Sequence, residues 1–160
     1  MKKFIPVFIL ALVFALGATV ALAGNGSAGP TEKVTGTIVT VPANPALSYA
    51  VSEFNAFEES AKGPAKGMYH WWAYNPDGSL YREIIVEVTK ANIEGDTATF
   101  SGFATYDSFD TIVGNEFSFY AMDGGTPGSG NDLVSWGWPG LNEKEIIGGN
   151  LTVHSYEELD

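Results

Sequence analysis

An all-β domain of about eight antiparallel strands is the fold this sequence predicts, and three observations predict it. β-Branched and aromatic residues gather in short runs, turn-forming Gly, Pro, Asn and Asp separate those runs, and no segment sustains the periodicity of a long amphipathic helix. A single barrel and a two-sheet sandwich both satisfy this pattern. Glycines inside the strand candidates (Gly36, Gly102, Gly114, Gly137) favour the barrel, because glycine kinks allow the coiling that closure needs.

Residues 1–23 read as an export signal rather than part of the fold. Lys2 and Lys3 form a positive start, an apolar run extends from Phe4 to about Val20, and Ala21-Leu22-Ala23 supplies a small-x-small cleavage pattern. Cleavage before Gly24 leaves 137 residues; retention of the run as an anchor is the alternative. No later stretch approaches the roughly 20 apolar residues that span a bilayer. Residues 24–32, GNGSAGPTE, form a Gly/Ser/Pro leader without apolar periodicity.

The strands follow in one domain, residues 33–156. KVTGTIVTV (33–41) is rich in β-branched residues and ends at Pro42, since proline cannot donate to a ladder. YAVSEFNAF (49–57) is the second strand, EESAKGPAKG a loop and MYHWWAY (68–74) the third. Asn75-Pro76-Asp77-Gly78 is a tight turn, with proline presetting φ and glycine accepting a positive one. LYREIIVEVTK (80–90) returns as a hairpin partner. Glu83 and Glu87 mark its wet face, so Ile84, Val86 and Val88 point inward and Arg82 sits near the rim of the inner face. A turn at Asn92–Asp96 precedes TATFSGFATY (97–106), whose Ala98, Phe100, Gly102, Ala104 and Tyr106 share one side. The sixth strand is IVGNEFSFYAM (112–122), with Phe117, Phe119 and Ala121 on one face. Leu133–Trp138 is the seventh. Ile146–His154 is the eighth, with a bulge at Gly148-Gly149. Residues 157–160 form an acidic tail.

Charge and composition exclude several functions. The chain carries 8 basic and 19 acidic residues, a net charge of −11, which becomes −13 without Lys2 and Lys3. Such a field repels phosphates, so a nucleic-acid partner is not expected. The absence of cysteine removes thiol catalysis, disulfides, thiolate metal sites and lipid attachment, so the core alone must stabilise the exported chain. A chain near this length can do so, burying roughly 68–70% of its unfolded surface. The expected location is secreted, cell-surface or periplasmic.

The second half carries a distinctive spacing: GDTATFSGFA (95–104), FSFYAMDGGTPGSGND (117–132) and GGNLTVH (148–154). It resembles the exported prokaryotic domains called post-COAP domains, whose pattern runs G-x-T-A-x-F-x-G, then D-x-G-x-P-G-x-x-D, then G-G-x-[LI]-x-[VI]-H. The likeness covers roughly residues 84–154, with one extra residue before Asp132. It implies an all-β surface or secreted module and supplies no catalytic residue or cofactor.

Two features offer binding chemistry. Asp123, Ser129, Asn131 and Asp132 place hard oxygens on one Gly-rich loop, the donor type calcium requires. The spacing is not an EF-hand, and the competing reading is a hairpin loop in which Asp123 bonds backbone N–H groups as an Asx-turn. Trp136 and Trp138 lie two apart and share a strand face, whereas Trp71 and Trp72 are adjacent and face opposite sides. All four are candidate ligand-binding residues; burial in the core is the competing fate. His70 and His154 fit no zinc or triad motif, and could share a metal only if the third and last strands meet. Glu83 and Glu87 are too far apart, at roughly 13 Å along a strand, to form a glycosidase pair by themselves.

These readings converge on an exported binding or structural module without catalysis, whose partner is a small molecule, a glycan or a surface protein. A small secreted carbohydrate-active hydrolase and a calycin-like barrel carrying an apolar ligand are the alternatives. Calcium is the one cofactor considered.

Overall fold

The computed structural model describes residues 32–58, 64–125, 132–136, 143–144 and 146–155. These residues form nine strands and no helix: β1 Lys33–Thr40, β2 Tyr49–Glu58, β3 Ala65–Tyr74, β4 Leu80–Glu94, β5 Thr97–Asp107, β6 Glu116–Met122, β7 Leu133–Trp136, β8 Glu143–Lys144 and β9 Ile146–His154. Residues 1–23, expected to be an export signal, nearly all of the expected leader and the acidic tail lie outside the described residues. Among the described residues no helix is long and apolar enough to cross a membrane.

All nine strands belong to one antiparallel sheet, ordered β8-β7-β6-β5-β4-β3-β2-β1-β9. Chain connectivity forces this sheet to curl. β8 and β9 occupy opposite edges, yet only residue 145 separates Lys144 from Ile146. Their Cα atoms are therefore at most about 7 Å apart, whereas nine flat strands would span about 38 Å. The sheet accordingly wraps into a half-barrel whose first strand pairs with its last, Val34 opposite Val153 and Gly36 opposite Leu151. A carboxylate secures the wrap: Asp123, directly after β6, accepts the Val153 N–H of β9 at 3.1 Å.

Period-two alternation builds the core on the concave face. Ile84, Val86 and Val88 of β4 are buried, as are Ala98, Phe100 and Ala104 of β5 and Phe119 and Ala121 of β6. Tyr69 of β3 is the centre, fully buried, its ring stacked on Phe119 at 3.9 Å and flanked by Phe54 at 6.0 Å and Phe100 at 6.2 Å. Its hydroxyl shares a 2.8 Å hydrogen bond with Ser52, and the Trp136 ring meets the Tyr69 ring edge-on at 5.6 Å. Burial raises the Tyr69 pKa well above the ordinary phenol range, because a phenolate there would be stripped of water.

Several boundaries differ from expectation for identifiable reasons. β3 begins at Ala65 because Glu58 of β2 pairs with it, so Ala65–Gly67 is strand rather than loop. β4 runs on to Glu94, leaving Gly95 with φ 59° to make the turn. The sixth strand begins at Glu116, not Ile112; Gly114 adopts φ 85° within a turn. Tyr106 is exposed and Asp107 buried, the reverse of simple alternation, because Ile85 pairs with Tyr106 while Val86 pairs with Ala104. Thr105 is the extra residue of that bulge, and everything after it changes face. The irregularity in β9 falls one residue before the expected glycine pair, between Ile146 and Gly148. β8 was not foreseen.

Gly102 shows why the strand interior carries a glycine. A Cβ there would lie 1.8 Å from the Glu87 carbonyl oxygen of β4, a distance no carbon can hold without strand displacement. Gly102→Ala is expected to cost about 2 kcal/mol in a urea melt, within the range for overpacking. An unchanged midpoint would mean that β4 and β5 separate freely at this point.

A candidate apolar cleft at the open end of the sheet

The cleft follows from which residues share each row across the strands. The outermost inward-facing row runs Thr40, Ala50, Ala73 and Arg82 across β1 to β4. At its middle Ala50 borders a space that a larger side chain would fill. The next row, Ile38, Ser52, Trp71 and Ile84, sits deeper, and Tyr69 lies in the row beneath, where the core is filled. Phe117 of β6 and Trp136 of β7 face this wall from the other side of the curl. Trp71 and Trp136 meet edge to face, ring centres 5.7 Å apart at 84°, although four strand steps separate β3 from β7.

The resulting cleft has a volume of about 370 Å³ and is lined by Thr40, Pro42, Ala50, Trp71, Arg82, Ile84, Ile112, Phe117 and Trp136. That size lies within the roughly 300–1,000 Å³ of small-molecule sites, which are typically apolar with a few fixed polar groups. Trp71 and Trp136 are each half-buried, packed against the core on one side. The cleft therefore offers aromatic surface that the protein does not fully cover.

Its one charged side chain among the described residues is tightly held. Arg82 forms a bidentate pair with Asp107, Nε to Oδ1 and Nη2 to Oδ2, both at 2.8 Å, and Nη2 also donates to the Thr111 hydroxyl at 2.9 Å. The guanidinium lies 5.1 Å from the Phe109 ring centre. Asp107 further accepts the backbone N–H groups of Phe109, Thr111 and Ile112 and the Thr111 hydroxyl. The carboxylate is wholly buried, while the Arg82 side chain keeps 22% exposure. The Arg82 hydrogen bonds, reinforced by those backbone donors, hold the Asp107 carboxyl far below the usual carboxylate range despite its burial. The same contacts raise the Arg82 pKa. One carboxylate thus fixes both the arginine and the 107–115 loop that carries Ile112 into the cleft.

The residues foreseen as ligand-binding separate into three groups. Trp71 and Trp136 come together in the cleft. Trp72 lies on the convex face, its ring 4.3 Å from that of His70, which is in turn 2.6 Å from Glu83. Trp138 lies outside the described residues. On the acidic loop, Asp123 accepts the Gly125 N–H at 2.9 Å as well as the Val153 N–H, and Asp132 accepts the Gly124 N–H at 3.0 Å. Both carboxylates are used as turn and closure acceptors, in agreement with the Asx-turn reading. Ser129 and Asn131 lie outside the described residues. Among the described residues no three His, Cys, Asp or Glu side chains gather as a metal site. His70 and His154 do not meet, since β2 and β1 separate β3 from β9.

Sequence reasoning missed Asp107, because the bulge at Thr105 reverses the alternation just before it. A signal did exist: an arginine at the rim of an apolar face needs a counter-ion, and Asp107 and Asp110 follow the next strand. Ala50 and Thr40 were missed because a void is recorded by no residue type.

The chain matches no family model, no curated protein and no solved structure.

Proposed function

We propose that this chain is an exported, non-catalytic binding domain whose ligand seat is the apolar cleft between Trp71 and Trp136. The observation that carries this reading is their meeting across the curl, above a filled core and beside the small side chain of Ala50. The lining supports binding rather than reaction: among the described residues Arg82 and Thr40 are its polar aliphatic side chains, and the arginine is already paired. Neither is placed beside a general base in the way that acid–base or nucleophilic catalysis requires. The reading joins the expected binding module to the expected carrier of an apolar ligand, and the export signal and the resemblance to surface domains support an extracellular setting. The paired-carboxylate hydrolase gains no comparable support, since Glu83 is engaged with His70 on the convex face.

Tryptophan emission tests the proposal. In a Trp72→Phe background, which removes the convex-face reporter, naphthalene is expected to quench and shift the emission with saturation. Ala50→Leu fills the outer row and is expected to weaken that binding at least about tenfold, equivalent to roughly 1.4 kcal/mol. An emission spectrum unmoved up to the solubility limit of naphthalene and a panel of apolar compounds would sink the proposal. Undiminished binding to Ala50→Leu would place the site elsewhere.

A further inference from the structure

We infer that the cleft selects an uncharged apolar molecule carrying one hydrogen-bond acceptor, such as a ketone, ester or amide carbonyl, and that Arg82 reads that acceptor through Nη1. The inference rests on the cleft being the ligand seat and adds what the ligand must carry. Nε and Nη2 of Arg82 are committed to Asp107 and Thr111, while Nη1 donates to no acceptor among the described residues. The side chain lines the cleft and is partly exposed. Its guanidinium is held in place by a bidentate carboxylate and an aromatic ring, so little conformational freedom is lost when a ligand engages it.

Charge decides which acceptor fits. The buried Asp107 carboxylate already neutralises Arg82, so an incoming carboxylate would place two anions on one cation and surrender its own hydration in an apolar cleft. The chain's net charge of −11 opposes an anion at long range as well. A cation fares no better. Asp107 is wholly buried, and its two oxygens already accept six hydrogen bonds, so no lone pair is presented to a ligand ammonium. The group left on offer is a donor in an electrically balanced pair, which matches a neutral carbonyl.

Three probes with the same ring separate the possibilities: naphthalene, 2-acetylnaphthalene and 2-naphthoate. The ketone is expected to bind at least about tenfold tighter than naphthalene, the gain of one hydrogen bond to a charged donor, and tighter than the carboxylate. The infrared carbonyl stretch of the bound ketone is expected at lower wavenumber than in hexane, as donation to its oxygen requires. Equal affinity for naphthalene and the ketone, or an unshifted carbonyl stretch, overturns the role of Arg82 while leaving the cleft as a binding site. Tightest binding of 2-naphthoate overturns the selection against anions. Failure of all three to bind overturns the ligand seat itself, and this inference with it.

Discussion

Asp107→Ala is expected to lower the unfolding free energy by about 3 kcal/mol, the lower end of the cost of removing one partner from a buried ion pair. The lower end applies because Arg82 retains partial contact with water. The loss has two parts: an arginine left without its counter-ion, and three backbone N–H groups of the 109–112 segment left without their acceptor. By contrast, the exposed Lys90–Glu116 pair is of the surface kind that contributes about 0–1 kcal/mol, and Lys90→Ala serves as the control. Acid dependence provides a second readout. The folded pKa of Asp107 is depressed, so its stabilisation is complete above the unfolded value near 4. It is lost as pH falls below that value toward the folded one. Wild type should therefore lose stability faster than Asp107→Asn below about pH 4. Parallel pH profiles for the two proteins, or a melt of Asp107→Ala within 0.5 kcal/mol (roughly the scatter of neutral surface changes) of wild type, would refute this account. Because the same carboxylate positions Ile112 and Arg82, Asp107→Asn should also weaken ligand binding in the cleft.

Tyr69→Ala should cost more, about 4 kcal/mol, as for other large aromatic truncations in cores. The ring contacts Phe119, Phe54, Phe100 and Trp136 at once, so its removal opens the floor beneath the cleft. Tyr69→Phe separates packing from hydrogen bonding. It keeps the ring but strands the Ser52 hydroxyl, at about 1–3 kcal/mol. The folded pKa of Tyr69 is raised, so its contribution is complete below the unfolded value near 10 and falls as pH rises through the folded one. Alkaline unfolding should accordingly be delayed in Tyr69→Phe relative to its own stability at pH 7. Urea melts at pH 7 and 11 measure both effects. A phenylalanine variant as stable as wild type at pH 7 would show the polar pair under the cleft to be unimportant.

Much of the fold was legible because strands declare themselves locally. The inward set Ile84, Val86 and Val88, the hairpin at Asn75–Gly78 and the rim position of Arg82 all followed from alternation and turn chemistry between neighbours in the chain. Gly102 was legible as a special position inside a strand, but that it admits the Glu87 carbonyl of β4 required the paired strands. Asp107 was not legible, because one extra residue at Thr105 reversed every side chain after it. Nothing in the local composition distinguishes TFSGFATYD with a bulge from the same residues without one. The acidic loop was legible as a turn, but which carboxylate secured β9 required the sheet to be in place.

The tryptophans show where local and global information separate. Adjacent positions on a strand must face opposite ways, so the sequence alone placed Trp71 and Trp72 on opposite faces. It also identified a cysteine-free all-β chain that must depend on its own core. Only the tertiary structure decided that Trp71 meets Trp136 and that Ala50 leaves a cleft beside them. Those contacts depend on the curl of the whole sheet, which is imposed when the chain leaves β8 at one edge and β9 pairs with β1 at the other. Side-chain direction is a property of a residue and its neighbours, whereas a cavity belongs to the closure that brings distant rows to face each other.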